Sequence, residues 1–254
     1  MTFPSFELTG EVTVEQRAFF AEFGFIVYRN VLSHSEVATM RQEAEAYQAE
    51  ACAGNVPEGH LDSTTPVTYD DSGQMLFRHR LLYFTQHCPT SSKIVRDRRF
   101  DAIACGIGSH QHWLLEDTMG GVVWQMKSGR RSSAYSAIKW HVDFPTGHQL
   151  SPAFTAGIYL DESTRSNGCL ALIPKSHTSY PGSAPPEPLF VEVNSGDVVC
   201  HHERILHGSG PVQREDGRRA TLYLYFCCGV YPGPGVPFAD TARMRDFRML
   251  FSGT

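Results

Sequence analysis

The sequence predicts a mainly β protein, a sandwich or barrel, with flanking α-helices gathered ahead of the strands. Three observations lead there. From about residue 113 onward, short apolar or alternating runs (GGVVWQMK, AIKWHVDF, AFTAGIYL, CLALIP, LFVEV, DVVCHH, RRATLYLYFCC) are broken by Gly, Pro, Asn and Ser. That is the texture of short strands joined by turns. The helical patterns precede these runs instead of alternating with them, which argues against a parallel α/β sheet. A length of 254 residues, 41 % of them apolar, suits one large β-rich domain over residues 1–254.

Taken in order, Thr13 opens a helical pattern over 13–22 that stops before Gly24. FIVYRNV (25–31) reads as a short strand. Ser33 with Glu36 three residues later forms a capping-box pattern, and apolar residues then recur at helical spacing over 33–51. Residues 52–75, rich in Gly, Pro, Asp, Ser and Thr, read as a long loop. RHRLLYFTQHC (78–88) and SKIVRDRRFDAIACGI (92–107) predict two further helices, ending near Gly106 and Gly108. The expected organisation is a mostly helical support (1–112), a strand-rich core (113–228) and a C-terminal extension (229–254) entered through the Pro/Gly-rich GVYPGPGVPF.

Composition excludes several function classes. The formal charge of −5 gives no basic footprint for nucleic acid. No apolar run is long enough to span a membrane, and MTFPSFELTGEV lacks the basic and apolar regions of a secretory signal. The seven cysteines are odd in number, irregularly spaced and free of any C-x-x-C, so they read as reduced thiols. The expectation is a cytoplasmic monomer or homodimer whose partner is a small molecule.

The chemistry centres on IKWHVDF (138–144). On a strand His141 and Asp143 project from one face, and an imidazole beside a carboxylate can hold a metal. A lone H-x-D is common, and by itself reads as a surface hydrogen-bonded pair. A third ligand would come from another strand, and His201, His202 and His207 in DVVCHHERILHGSGP are candidates, as are His110, His112, His148 and His177. Two histidines and one carboxylate on a facial triad leave metal positions open, as in non-haem Fe(II) oxygenases. Arg218 starts RRATLYLYF. With period 2 it shares a face with Ala220, Leu222, Leu224 and Phe226, the more apolar face and so the expected interior. An inward arginine requires an anion, and a dicarboxylate would suit its fork.

WHVDF, SNGCLALIPKSH, GDVV, LHGSGP and RRATL, in this order, resemble the phytanoyl-CoA dioxygenase family of Fe(II)/2-oxoglutarate oxygenases. AFFAEFGFIVYRNVLSHSEVATMRQE resembles that family's opening helix–strand–helix. The resemblance covers nearly the whole chain. It implies a double-stranded β-helix, the cupin-like jelly roll. It implies Fe(II) held by His141, Asp143 and His207, with 2-oxoglutarate and O2 as cosubstrates. Arg218, eleven residues after His207, falls where the family's arginine meets the far carboxylate of 2-oxoglutarate, and Ser209 on its supporting serine. Lys127 falls on a basic residue of the strand before H-x-D, and Gln125 shares its strand face. Thr155 or Gly157 stands where a tryptophan often flanks the cosubstrate, and the K-P-P-G turn reads K-S-G-R here. Asp143 sets the chain apart from the halogenases of this superfamily, which carry a small residue in place of the carboxylate. Singly these residues read as surface polar groups; the order of five motifs together with Arg218 favours the site.

The implied reaction is decarboxylation of 2-oxoglutarate to succinate and CO2 coupled to oxidation, by default hydroxylation, of a substrate C–H bond. A cupin-like enzyme working without 2-oxoglutarate and a non-catalytic cupin-like binding protein are the rival classes. For substrate, Arg78, Arg80, Lys127 and Arg130, with Arg131 and Arg165, point to a small anion, an organophosphonate or amino-acid-like acid. A fatty acyl-CoA or natural-product hydroxylase is the alternative within the family.

Overall fold

The computed structural model describes residues 3–61, 67–69, 72–73, 75–129, 135–144, 152–179 and 186–233. Helix α1 (Val14–Phe23) starts on the expected capping box. The Thr13 hydroxyl accepts from the Gln16 N–H, and the Gln16 side chain accepts from the Thr13 N–H. It ends at Gly24, whose φ of +78° is left-handed and where a Cβ would collide with the His177 ring. Strands β1 (Phe6–Glu7) and β2 (Phe25–Arg29) flank this helix, and α2 (His34–Ala53) follows on the Ser33–Glu36 capping box.

The next stretch departs from the sequence reading. Residues 78–88 do not form a helix. Strand β3 (Val67–Tyr69) pairs with β4 (Met75–Arg78), β5 (Arg80–Leu81) follows, and only Phe84–His87 (α3) is helical. Sheet pairing overrides local propensity here, because Arg80 and Leu81 join the main sheet opposite Gln125 and Trp124. The Gln48 side chain of α2 also takes up the Arg78 N–H and C=O. The long loop expected over 52–75 therefore contains β3 and a short 3-10 turn at Glu58–His60; its residues 62–66, 70, 71 and 74 lie outside the described residues. The helix expected over 92–107 is two, α4 (Pro89–Val95) and α5 (Arg98–Ile103). Asp97 restarts the backbone by accepting from the Arg99 N–H, and α5 runs on into a π turn at Ala104–Gly108.

Nine further strands lie among the described residues: β6 (His112–Leu114), β7 (Val123–Ser128), β8 (Ile138–His141), β9 (Ala153–Tyr159), β10 (Leu170–Leu172), β11 (Leu189–Val191), β12 (Val198–His202), β13 (His207–Ser209) and β14 (Arg218–Cys228). The larger sheet runs β1-β2-β12-β9-β14-β7-β5, with β6 on β14; the smaller runs β11-β10-β13-β8. The residues expected to be helical support thus also supply strands at both margins of the larger sheet.

Two apolar layers cover the larger sheet. One face (Ile26, Ile158, Cys200, Leu222, Leu224) packs on Met40 and Tyr47 of α2 and on Phe84, Phe100 and Ile103. From the other, Val27, Tyr159 and Val199 meet Leu170, Leu172 and Val191 of the smaller sheet. The result is a jelly roll with helices on one outer face. No helix among the described residues is long and apolar enough to cross a membrane, and all seven cysteines are free thiols.

Candidate metal and cosubstrate site

Between the two sheets lies a cavity of about 390 Å³. Strands β8 and β13 pair so that His141 stands directly opposite His207. Strand β8 ends at His141, so Asp143 sits just beyond it. Its backbone N–H donates to the Glu203 carbonyl at 2.9 Å, which fixes the turn. Ligand atoms of His141, Asp143 and His207 then lie within 4.8 Å of one another. Asp143 Oδ1 is 3.7 Å from His141 Nε2 and 3.6 Å from His207 Nε2.

Both imidazoles are held by their other nitrogen. Nδ1 of His141 bonds the Lys139 carbonyl at 2.8 Å, and Nδ1 of His207 bonds the Ile205 carbonyl at 3.0 Å. A carbonyl only accepts, so each Nδ1 carries the proton and each Nε2 keeps its lone pair for a metal. Burial, and then the neighbouring His201, push His207 down to about 4, so it stays neutral. Burial alone raises the Asp143 carboxyl. The three histidines and a Thr155 hydrogen bond of 2.5 Å more than offset this and hold it below the usual range. Two neutral nitrogens and one carboxylate oxygen converge, the donor set of an open divalent-iron site.

The far wall carries the basic groups. On β14 the structure reverses the expected parity. Arg218 is exposed and lies with Arg41, Glu45 and Asp161 in a shallow cleft on the outer face. Arg219, twelve residues after His207, points inward and is 2 % exposed. The apolar face of β14, the expected interior, is instead the face buried under the helices. The polar face, with Arg219, Tyr223 and Tyr225, lines the cavity. Arg219 Nε and Nη1 have no hydrogen-bond partner there, and neither does Gln125 Nε2. Buried donors left in this state are costly, and a carboxylate in the cavity fits them.

Lys127 lies directly across from Arg219 in the β7–β14 register and is fully buried. Its Nζ bonds Ser209 Oγ at 2.9 Å, the Gly168 carbonyl at 3.1 Å and the Gly210 carbonyl. Gly168 has a φ of +74°, and a Cβ there would strike Lys127 Nζ. Lys127 thus braces the two sheets beside Arg219 instead of reaching the mouth, where a substrate role would put it. Burial, followed by the Arg219 charge, pushes Lys127 down to about 6 from 10.5. Between those values the unfolded chain holds a proton the folded chain gives up, so stability rises with pH across that window. In Lys127→Met this rise should flatten, read as the unfolding midpoint of the metal-free protein from about pH 7 to about pH 9.

The remaining expectations divide. Gln125, Ser209, Thr155 and Arg80 line the cavity. Thr155 bonds the Asp143 carboxylate in place of forming a bare wall for the cosubstrate. Arg78 is not among the lining residues, and Arg165 stacks on Phe190 at 4.2 Å in a separate surface groove. Arg130, Arg131 and His148 lie outside the described residues. His202 faces outward near Phe20 and His177. His201, one of the candidate third ligands, lines the cavity with its ring 4.3 Å from that of His207 and its Nδ1 3.7 Å from Asp143 Oδ2, outside the cluster of ligand atoms. Arg219, Tyr223 and Tyr225 line the cavity without having been expected there, and the alternation of Arg219, Thr221, Tyr223 and Tyr225 was a legible signal for all three.

Comparison with known proteins agrees with this geometry. The family model for phytanoyl-CoA dioxygenase matches residues 20–220. An ectoine dioxygenase of Sphingopyxis alaskensis is 25 % identical over 228 residues, covering 85 % of this chain and 68 % of its own. A probable alpha-ketoglutarate-dependent hypophosphite dioxygenase of Stutzerimonas stutzeri is 29 % identical over 118 residues, 37 % of this chain and only 41 % of the relative. Among solved structures, EctD from S. alaskensis with bound Fe aligns with a TM-score of 0.67 at 22 % identity, covering 87 % of this chain and 78 % of that one. The carbocyclase SnoK from nogalamycin biosynthesis aligns at 0.68 with 16 % identity, covering 96 % and 94 %. At these identities the structures speak for the fold.

Proposed function

Since the chain belongs to the phytanoyl-CoA dioxygenase family and is an Fe(II)/2-oxoglutarate-dependent oxygenase, we propose that it hydroxylates an unactivated C–H bond of a small anionic metabolite. His141 Nε2, Asp143 Oδ1 and His207 Nε2 would hold Fe(II). Arg219, in place of Arg218, would receive the far carboxylate of 2-oxoglutarate, with Lys127 and Ser209 behind it. When bound, the iron with 2-oxoglutarate and O2 supplies the oxidant for the C–H bond, and succinate and CO2 leave. The chain's own part is to present three fixed ligand atoms, neutralise a carboxylate and shape the space for substrate. The observation that carries this reading is the pairing, in one cavity, of the three converging ligand atoms with the unpartnered Arg219 nitrogens.

The lining supports the substrate class. Arg80 and Lys139 add positive charge, and Asp143 is the one carboxylate among the described lining residues. With Asp143 committed to iron, a small anion meets no competing negative charge. A cavity of about 390 Å³, near the low end of the roughly 300–1,000 Å³ usual for ligand pockets, must take cosubstrate and substrate together. That favours an organophosphonate or amino-acid-like acid over a fatty acyl thioester. Relatives named for ectoine and hypophosphite act in the same direction.

The test is succinate formation with Fe(II), 2-oxoglutarate and each substrate class in turn. Small phosphonates and amino-acid-like acids should stimulate it, and Arg80→Ala should raise their KM about tenfold, the loss of one charge-assisted contact of about 1.5 kcal/mol. Best turnover on neutral or long-chain substrates, or an unchanged KM in the variant, would remove the anionic assignment.

A further inference from the structure

We propose that Thr155 is a positioning residue that makes Asp143 a one-oxygen metal ligand; this rests on the metal site proposed above. The two carboxylate oxygens of Asp143 have different surroundings. Oδ1 faces Nε2 of both His141 and His207, at 3.7 and 3.6 Å. Oδ2 accepts the Thr155 hydroxyl at 2.5 Å. Thr155 is 2 % exposed, and its cross-strand neighbour on β12 is His201, whose Nδ1 lies 3.7 Å from the same Oδ2. Oδ2 is therefore turned toward Thr155 and His201 on β9 and β12, and Oδ1 toward the His141 and His207 imidazoles.

This division matters because a carboxylate can bind a metal through one oxygen or through both. With both, the protein would fill four of six positions. With Oδ1 alone it fills three, leaving room for a chelating 2-oxoacid and for O2. A hydroxyl proton held on Oδ2 draws electron density from that oxygen and turns it toward β9, which disfavours a second metal bond. It also fixes the plane of the carboxylate, which the backbone bond from Asp143 to Glu203 anchors only at the main chain. The strand register makes the arrangement rigid. Thr155 pairs with His201 on one side and Tyr225 on the other, in the middle of the larger sheet.

The experiment measures Co(II) affinity of the metal-free protein by competition with a chromophoric chelator, with 2-oxoglutarate omitted so that contacts to the cosubstrate play no part. Thr155→Val keeps the shape and removes the hydroxyl. It should bind Co(II) about 10–100-fold more weakly, the usual loss when a ligand's supporting hydrogen bond is removed. Thr155→Ser restores the hydroxyl and should bind within about threefold of the parent. Circular dichroism checks the fold, and if the valine variant does not fold, Thr155→Ala is read against the same thresholds. Affinity within threefold of the parent for the variant lacking the hydroxyl, or failure of serine to rescue, overturns the proposal. Asp143→Ala is measured alongside. If it binds Co(II) like the parent, the metal site is wrong; if it loses binding while Thr155→Val does not, only the role of Thr155 is wrong.

Discussion

Asp143→Ala is expected to abolish both iron binding and succinate formation. The carboxylate is the one anionic member of the cluster formed with His141 and His207, and it is 7 % exposed among three imidazoles. Removing it leaves two neutral nitrogens, too few to retain a divalent ion against water. The loss should exceed the roughly 10–100-fold that follows removal of a supporting hydrogen bond. His207→Ala should lose iron in the same way. His202→Ala, altering a ring on the outer side of β12, should leave iron binding close to the parent. Equilibrium dialysis with iron analysis checks all three, and equal losses at His202 and His207 would mean the distal ligand is misplaced.

Arg219→Ala should raise the 2-oxoglutarate requirement by about a hundredfold or more, from an expected 3–5 kcal/mol for breaking a buried charge pair. Its requirement for iron should stay nearly constant, because Arg219 lies on β14 and outside the cluster of His141, Asp143 and His207. Arg218→Ala changes an exposed side chain on the opposite face and should have little effect on either. Titrating cosubstrate against succinate rate in both variants settles the face. A larger effect at Arg218 would return the assignment to the spacing rule.

That contrast shows what was legible in the sequence. The clustering of His141, Asp143 and His207 could be anticipated because a metal site demands particular residue types in an order of motifs that survives any detail of packing. The arginine could not, because its reading depended on which side of β14 is covered. An alternating strand has two faces, and its pattern does not say which meets the larger apolar surface. Here α2 and the helices after it claim the face of Leu222 and Leu224. The stretch around Arg80 failed for a related reason. Its apolar residues resembled a helix until β7 offered a long-range edge, and no local signal announces that partner. Thr155 and His201 were present in the reading, but their convergence on Asp143 Oδ2 arises only from the β9–β12 register.

The alternation along β14 also bears on how such a protein changes over generations. Residues of one parity (Ala220, Leu222, Leu224, Phe226) hold the helices to the sheet, while those of the other (Arg219, Tyr223, Tyr225) line the cavity. Two demands that usually compete for the same positions are assigned here to alternate ones. Exchanges at Tyr223 or Tyr225 alter the surface offered to a substrate while the foundation under the helices stays intact. A laboratory library confined to that parity would therefore sample new reactivity with few casualties from misfolding, and lineages drifting at those positions could acquire new substrates without first accumulating stabilising changes.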